Sequence, residues 1–590
     1  MRRDQSSDMR RRKSDFFFIS MCLFLSACTA AESALNTPYS PTAEVTTQTI
    51  ETSLPTESLQ TATDMMGLEP GLPSLVLMTG IPQGLWQVER LPEGIVLGNN
   101  PNGEELILGL RSGADADMTI ISEADWIYAL AAPFYTIQDD VETDDLVAFW
   151  NGSRQGSMAD VSQLVVRVGD YLSLCGFLGQ ASSETVRVEP QSFINDSLWG
   201  SEDLWLILPF DELIPQWKVI SINGNSPLHK DFTISDYPLV GEYALYGAKD
   251  TIESLDEGFK AALTAGIVPT NRDSEKMTTL VMTGVTALVR GTAYRMEING
   301  VTYPAEDIVE WLAGADITHI SNEVSFYRDC PFPDPKQGML FFCSSPDYIK
   351  LFDYVGADVI ELTGNHNNDT EQVYGVDVVP SSINLYLQRG MVYYGGGLDL
   401  QDAMRPAVIE HNGNKFAFVG CNPNGPDYAW ATDDHGGSAP CGDFTWMADE
   451  LSRLRGNGYI PIATFQYYEN YANFASEQQR EDFRMMADAG AVIVNGSQAH
   501  RPKEMEFYGG AFIHYGLGNL FFDQMGVLVN DDLVLQTRWE FIQRHVFYDG
   551  KHISTELLTA MLEDYAKPRP MTERERQAFL EEIFAASGWR

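Results

Sequence analysis

Apolar runs alternate with polar, helix-like segments through the second half of the chain. Six runs of three to six residues have the character of buried strands, and each ends in small or polar residues. They are residues 280–282, 317–320, 359–362, 416–419, 460–465 and 492–494. Because the ligand crevice of an α/β sheet lies beyond the carboxyl ends of its strands, this pattern predicts one site where these ends meet.

Helix boundaries between the runs agree with this order. Gly314, Gly356 and Gly490 stand where a preceding helix would end, and Ser476 with Gln479 has the spacing of a capping box. The segment after residue 540 predicts a C-terminal hairpin and helix over residues 541–590, and nothing in it suggests chemistry. The hairpin turn is predicted at residues 548–551, and the helix opens after Thr572 and runs through Phe584.

The first half of the chain alternates in the same way and predicts an α/β domain over residues 67–260. Strand-like runs occur at residues 75–78, 106–110, 126–132, 164–168 and 204–208, and a helix opens at Thr143. Passages at residues 126–134, 206–210, 218–224 and 237–239 resemble segments of type 2 periplasmic solute-binding domains. An accessory domain without a ligand of its own is the alternative.

The N-terminus has the pattern of an export signal. A basic cluster at residues 10–13 precedes an apolar run at 16–25, which is too short to span a membrane as a mature helix, and Leu-Ser-Ala-Cys ends at Cys28. This resembles the signal of bacterial lipoproteins. The resemblance implies removal of residues 1–27, lipidation of Cys28 and a place on the extracytoplasmic face of the cell membrane. An uncleaved anchor is the alternative.

Residues 28–66 predict a disordered tether. Residues 29–66 hold ten threonines, no Lys or Arg and one aromatic residue, too little apolar area to offset the entropy of ordering. The rest of the 590-residue chain has ordinary globular composition, with 44% hydrophobic and 21% charged residues. Its 39 basic and 83 acidic residues give a net charge of −44, which argues against a nucleic-acid partner.

Five cysteines remain beyond the predicted lipid site, and no Cys-x-x-Cys pair suggests zinc. Disulfides are permitted in an exported protein. Cys330 with Cys343, and Cys421 with Cys441, either staple one loop each or stay as buried thiols.

Four sequence motifs in the second half resemble the CapA/PgsA family of capsule and poly-γ-glutamate synthesis proteins, a branch of the calcineurin-like metallophosphoesterases. The motifs are Asn322-Glu323, residues 364–369 (Gly-Asn-His-Asn-Asn-Asp), residues 394–397 (Tyr-Gly-Gly-Gly) and residues 515–523. The resemblance implies a sandwich of two β-sheets flanked by helices over residues 277–540. It also implies metal ligands on loops and an ancestral hydrolysis of phosphoester bonds.

Residue by residue, the resemblance assigns Glu323, Asn365, His366 and His500 as metal ligands or neighbours of the metal. His366, His500 and Asn365 would then carry any catalysis. Such a site needs two divalent ions and a bridging water. Departures from the family motif argue against a complete two-ion site, because Val285, Gln466 and Gln498 stand where the family has metal ligands.

A binding site is the competing interpretation, because polar and aromatic residues follow the predicted strand at residues 460–465. The ligand-binding candidates are Asn322, Gln466, Tyr467, Glu469, Gln498 and Asn519. Simpler alternatives stay open, in which Asn365 and His366 only tie a loop together and Asn519 braces the site. His319 and His514 lie inside apolar runs and are predicted to be core histidines.

The sequence thus predicts a lipid-anchored extracytoplasmic protein of α/β class. Its expected partners are the membrane and extracellular polymer or the capsule synthesis machinery. Two functions remain open: a binding protein with a degenerate metal site, and a metal-dependent hydrolase of phosphoester or polymer bonds. The cofactor is one divalent ion (Mn, Zn, Mg or Ca) or none.

Overall fold

The structure is a computed structural model that describes residues 74–90, 92, 95–98, 105–190 and 203–589. The predicted signal, the tether and Cys28 lie outside these residues. Residues Pro70–Arg590 form one compact unit. In the described part of the chain, no helix combines the length and apolar character needed to cross a bilayer.

The first half forms a mixed sheet with helices packed on it. The strands are β1 Ser74–Leu77, β2 Val96–Gly98, β3 Glu105–Leu110, β4 Met118–Pro133, β5 Asp140–Val141, β6 Gln163–Arg167, β7 Val186–Glu189, β8 Leu204–Pro209, β9 Trp217–Ile222 and β10 Val240–Ala248. The helices are α1 Thr143–Trp150, α2 Val168–Leu178, α3 Lys249–Ser254 and α4 Glu257–Ala265. The predicted strands and the helix starting at Thr143 are therefore confirmed.

The sheet order in this half is β2-β1-β3-β10-β4-β8-β6-β7, and β9 pairs with β4 and β5. The long strand β4 pairs antiparallel with β8, β9 and β10, so it joins the two ends of the sheet. Its second half is buried from Trp126 to Ala132, as expected for a strand covered on both faces.

The described residues of the second half form two large sheets, two two-stranded sheets and their helices. The strands are β11 Met277–Thr283, β12 Val285–Thr286, β13 Ile317–Asn322, β14 Val359–Glu361, β15 Val392–Tyr394, β16 Gly396–Gly397, β17 Ala407–His411, β18 Asn414–Cys421, β19 Gly437–Ser438, β20 Ile460–Gln466, β21 Ile493–Ser497, β22 Met505–Tyr508, β23 Ala511–His514, β24 Val527–Val529, β25 Asp532–Val534, β26 Trp539–Tyr548, β27 Lys551–Glu563 and β28 Lys567–Pro570. The helices are α5 Arg290–Asn299, α6 Val309–Ala313, α7 Ile349–Tyr354, α8 Asp369–Tyr374, α9 Val379–Leu387, α10 Leu400–Ala403, α11 Thr445–Gly456, α12 Glu477–Asp488 and α13 Glu573–Ala586.

The two large sheets of this half pack face to face. One has the order β15-β14-β13-β11-β26-β27-β28 and the other β17-β18-β20-β21-β23-β22, whereas the two-stranded sheets are β16-β19 and β24-β25. Apolar side chains from both sheets form a shared core that includes Leu280, Phe416, Ile462 and Phe547. Helices α5, α6, α7 and α9 cover the outer face of the first sheet, and α11 and α12 cover the second. The fold is therefore the predicted α/β sandwich of two sheets flanked by helices.

The C-terminal hairpin is part of the first sheet. Strand β26 pairs antiparallel with β11 along its length, from Met277 opposite Tyr548 to Thr283 opposite Ile542. The sheet therefore continues past residue 540. The turn at residues 549–550 lies where it was predicted, and Thr572 with Glu575 forms a complete capping box at the start of α13. At α12 only half of the predicted box forms, with Ser476 accepting from the Gln479 amide.

Two disulfides close loops in this half. Cys330 pairs with Cys343, and Cys421 pairs with Cys441. The sequence left disulfides and buried thiols open, and the structure shows that both pairs form disulfides. Cys175 is the free cysteine of the described residues.

Candidate functional site

Four strand ends carry polar side chains to one edge of the sandwich. Glu323 follows β13, Asn365 and His366 follow β14, Gln466 ends β20, and Gln498 follows β21. Strand β13 pairs parallel with β14 in one sheet, and β20 pairs parallel with β21 in the other, so the carboxyl ends of each pair lie at the same edge. The strand ends thus bring these predicted residues together.

The loops after β13 and β14 approach closely at Gly364. A Cβ atom on Gly364 would lie 2.6 Å from the carbonyl oxygen and 2.7 Å from the Cα of Glu323, which no side chain tolerates. Val324 and His366 form a parallel bridge beside this contact. The glycine therefore allows the loop that carries Asn365 and His366 to lie against Glu323.

The amide nitrogen of Gln466 lies at the centre of the group. Gln466 Nε2 donates to Glu323 Oε1 at 3.0 Å and to Asn365 Oδ1 at 2.8 Å, and it also contacts Oε1 of Gln498. An amide NH₂ has two hydrogens, so three oxygen acceptors exceed its capacity. The cluster is thus rich in acceptors, and it suits a ligand that brings N–H or O–H donors.

His366 is fixed at one edge of this cluster. Its Nδ1 lies 2.6 Å from Asp369 Oδ2, its Nε2 lies 3.9 Å from Glu323 Oε1, and its ring packs on Phe342 with centroids 4.6 Å apart. Burial disfavours the charged imidazolium, but the hydrogen bond to Asp369 and the charge of Glu323 outweigh it and raise the pKa of His366. The ring is therefore oriented, with Nε2 turned toward Glu323.

His500 is held in a similar way on the neighbouring loop. Its Nδ1 lies 2.8 Å from Asn519 Oδ1, and its ring stacks on Phe522 with centroids 4.8 Å apart. The backbone φ is +52° at His500 and +70° at Gln498, in the left-handed region that side chains seldom adopt. Such conformations cost about 1–3 kcal/mol each and cluster at functional sites. This loop is thus shaped for the site at the expense of local stability.

Arg290 packs on the two aromatic rings that contact His366 and His500, and the sequence did not predict this role. Its guanidinium lies over the ring of Phe342 at 5.0 Å and over the ring of Phe522 at 5.3 Å, the two rings that pack on His366 and His500. It also forms an ion pair with Asp523. A lone Arg after the apolar residues 287–289 is the only sequence signal for this role. Arg290 therefore lies near His366, with its guanidinium paired with Asp523.

The donor set does not fit a two-ion centre. Val285 is buried in β12, and its side chain has no atom able to bind a metal. The NH₂ of Gln466 occupies the space between three oxygens, where an ion would need acceptors alone. Within the described ranges, no three His, Cys, Asp or Glu side chains are grouped as ion ligands. Chemistry that requires a pair of bridged ions therefore finds no support in this arrangement.

Four other predicted ligand residues lie apart from the Gln466 amide. Asn322 donates to Val324 O at 2.9 Å and to the Tyr386 hydroxyl at 2.8 Å, inside the helix-covered core. The Tyr467 hydroxyl donates to Asp482 on α12, again in the interior. The remaining two are Glu469, which is exposed and accepts from Tyr471, and Asn519, which braces His500.

Two histidines within the strands, His319 and His514, are core residues, as predicted. His319 and His514 are buried, and burial lowers the pKa of each to about 3. His319 contacts the Tyr394 hydroxyl, and His514 contacts Gln543. Both therefore stay neutral within the packed sheets.

The two stacked sheets with helices outside them, and polar loops at one edge, define an α/β sandwich with a polar cluster at the ends of its strands. The family model for the bacterial capsule synthesis protein PGA_cap matches residues 279–524. This part of the chain is therefore similar to that family of capsule synthesis proteins.

Curated relatives agree with the family model. The chain is 24% identical over 285 residues to the capsule biosynthesis protein CapA of Bacillus anthracis, covering 46% of this chain and 66% of the relative. It is 26% identical over 195 residues to the PGA biosynthesis protein CapA of Bacillus subtilis, covering 33% and 50%. The chain thus spans between half and about two thirds of the length of these relatives.

Solved structures are more distant. A putative 5'-nucleotidase from Staphylococcus aureus aligns with a TM-score of 0.26 at 12% identity, covering 52% of this chain and 58% of that structure.

Proposed function

We propose that this chain is a polymer-binding protein that acts in the synthesis or attachment of capsule or poly-γ-glutamate-type polymer. Support comes from the family of residues 279–524 and from the names of its relatives. The signal-like N-terminus supports a lipid anchor on Cys28 and a place on the extracytoplasmic face of the membrane.

The acceptor-rich cluster around Gln466 carries this proposal. Glu323, Asn365 and Gln498 present oxygens that a single amide cannot satisfy, and Arg290 supplies a cation nearby. A γ-linked glutamate chain offers an amide N–H and a carboxylate in every repeat. Its amides would meet the oxygens, and its carboxylates would meet the arginine. Binding thus needs no ion.

A metal-dependent hydrolase is the second candidate. One observation favours it: Asp369 and Asn519 hold the Nδ1 atoms of His366 and His500, as outer partners commonly do for metal-ligating histidines. A single ion would then be shared by these histidines, Glu323 and Asn365.

Elemental analysis separates the two candidates. The purified chain is dialysed against manganese, zinc, magnesium and calcium in separate samples, and the bound ion per chain is measured. The binding proposal predicts substoichiometric ion in every sample. About two transition ions per chain would contradict it and support hydrolysis. One ion per chain that is lost in His366→Ala would support the single-ion hydrolase.

A further inference from the structure

A cavity lies between the two halves of the compact unit, outside the Gln466 cluster. It measures about 310 Å³, within the range of small-molecule sites, and it shares no lining residue with that cluster. Strand β9 and the adjoining loops form one side, and β26, β27 and α13 form the other. Sites at the junction of two structural regions are common places for ligands.

Charged side chains from both halves line this cavity. Asp139 forms ion pairs with Lys218 at 2.5 Å and with Arg576 at 2.7 Å. Glu556 forms ion pairs with His229 at 2.9 Å and with Arg544 at 3.3 Å. Lys218, Arg544 and Arg576 therefore face two carboxylates, which leaves one positive charge in excess even when His229 is neutral. In a chain of net charge −44, this is a local reversal of sign.

Lys218 is held rigidly in this wall. Its ammonium donates to the carbonyl oxygens of Thr136 at 2.8 Å and Gln138 at 2.7 Å in addition to its pairing with Asp139. Burial lowers the pKa of Lys218 to about 8, although Asp139 opposes the shift, so the amine stays mainly protonated at pH 7. The positive charge of the cavity is therefore present at neutral pH.

Arg576 has an unused hydrogen-bond donor. Its Nε and Nη2 atoms both donate to Asp139, at 3.1 and 2.7 Å. Its Nη1 atom is buried and finds no hydrogen-bond partner among the described residues. A buried guanidinium donor left unpaired is costly, so an acceptor brought by a ligand would stabilise it.

The rest of the lining has both hydroxyl and apolar side chains. The hydroxyl groups are those of Thr136, Ser221, Ser226, Thr555 and Thr559. Trp311, Leu558, Leu580 and Phe584 lie along the cavity with the charged groups. An inorganic anion would use the cations and leave this surface uncovered, whereas a carbon chain would cover it.

We propose that this cavity binds a small organic carboxylate, with its carboxylate at Arg576 and Arg544 and its carbon chain against the apolar wall. This site is independent of polymer binding at Gln466, so the failure of either proposal leaves the other unaffected.

Isothermal titration calorimetry of the purified chain tests this site with three probes: glutarate, its uncharged diamide glutaramide, and inorganic phosphate. Glutarate should bind at least about tenfold more tightly than either of the others, because only glutarate offers both charge and carbon chain. Equal binding of glutarate and glutaramide, or tighter binding of phosphate, would overturn the proposal, and so would no binding of glutarate.

Two variants locate the binding. Arg576→Gln and, on a different element, Arg544→Gln should each weaken glutarate binding about tenfold, since each removes one cation from the cavity. Arg574→Gln is the matched control, because Arg574 is exposed on the same helix α13 and does not line the cavity. Melting curves show which variants remain folded. Unchanged binding in either folded cavity variant, or equal weakening in the control, would contradict the assignment.

Discussion

At the scale of single residues, Gln466 sets what the site can do. A carboxamide contributes both a donor and an acceptor, whereas an imidazole ring at this position would offer a lone pair to a metal. Here the donor end faces Glu323 and Asn365, so the side chain ties acceptor groups together. A glutamine at this position therefore favours a hydrogen-bonded cluster over a metal centre.

The charge of His366 depends on Asp369. Burial alone would lower the pKa of His366, and the hydrogen bond to Asp369 together with the charge of Glu323 raises it instead. Asp369→Asn should therefore lower the pKa of His366. Histidine-selective NMR titration measures this, with His366→Gln used to assign the signal. An unchanged pKa in a folded Asp369→Asn variant would show that Asp369 does not control the ring.

Motifs at strand ends were enough to predict Glu323, Asn365, Gln466 and Gln498 as one group, because a strand end fixes where the next residues lie. The same reasoning placed Asn322 and Tyr467 in the ligand set, yet both face helices in the interior. Side chains alternate between the faces of a strand, and a motif does not state which face is open.

The role of Arg290 could not be predicted from the sequence, for a different reason. Its role depends on Phe342 and Phe522, which are distant in the sequence and come together only through tertiary packing.

At the scale of secondary structure, the β26–β27 hairpin is the clearest case of local encoding. Asp549 and Gly550 both have positive φ, +49° and +79°, as a tight two-residue turn requires. The short sequence around them predicts this turn. It does not predict that β26 lies beside β11, because that pairing joins residues about 260 positions apart and is decided by packing of the whole sandwich.

Gly550→Ala should destabilise the chain by about 1 kcal/mol, because alanine is strained at positive φ. A Cβ there meets no atom within 4 Å, so the effect isolates backbone conformation. Gly456→Ala is the matched control: it lies in α11, also with no atom near its Cβ, and alanine should be neutral or stabilising there. Denaturant unfolding measures both. Equal effects in the two variants would contradict this account of the turn.

Buried histidines in the strands make the sandwich sensitive to acid. Burial lowers the pKa of His319, His514 and His552 to about 3, and that of His545 well below its ordinary value. Unfolding restores a pKa near 6.5, so the unfolded chain binds more protons between about pH 6.5 and pH 3. The contribution of these residues to stability is therefore full above pH 6.5 and is lost as the pH falls through this window.

Replacing one of these residues tests the effect. For His319→Gln, the slope of the unfolding free energy against pH between pH 4 and 6 should fall by about 1.4 kcal/mol per pH unit relative to the parent chain. Chemical denaturation at a series of pH values gives this slope. An identical slope in the variant would mean that His319 is not held neutral.

At the scale of the whole molecule, charge opposes the proposed partner. The chain carries −44, and a poly-γ-glutamate chain is itself a polyanion. Long-range repulsion between them is screened by salt, whereas the half-buried contact with Arg290 is screened much less.

Polymer binding should therefore strengthen as salt rises from about 50 to about 500 mM, the reverse of a protein that binds polyanions through a basic surface. Binding measured at several salt concentrations at fixed pH gives the sign. A steep loss of affinity with salt would point to an extended basic surface and away from the Gln466 cluster.

The most direct test of polymer binding at the Gln466 cluster is a titration of poly-γ-glutamate into the purified chain by calorimetry in the presence of EDTA. Parent protein and Gln498→Ala are compared, because Gln498 contributes one of the oxygens that would accept from the polymer amides. Gln577→Ala is the control, because Gln577 is exposed on α13. We predict that binding persists in EDTA, that Gln498→Ala weakens it about tenfold, and that the control leaves it unchanged. Binding that disappears in EDTA and returns with a divalent ion, or that is the same in Gln498→Ala, would contradict polymer binding at this cluster.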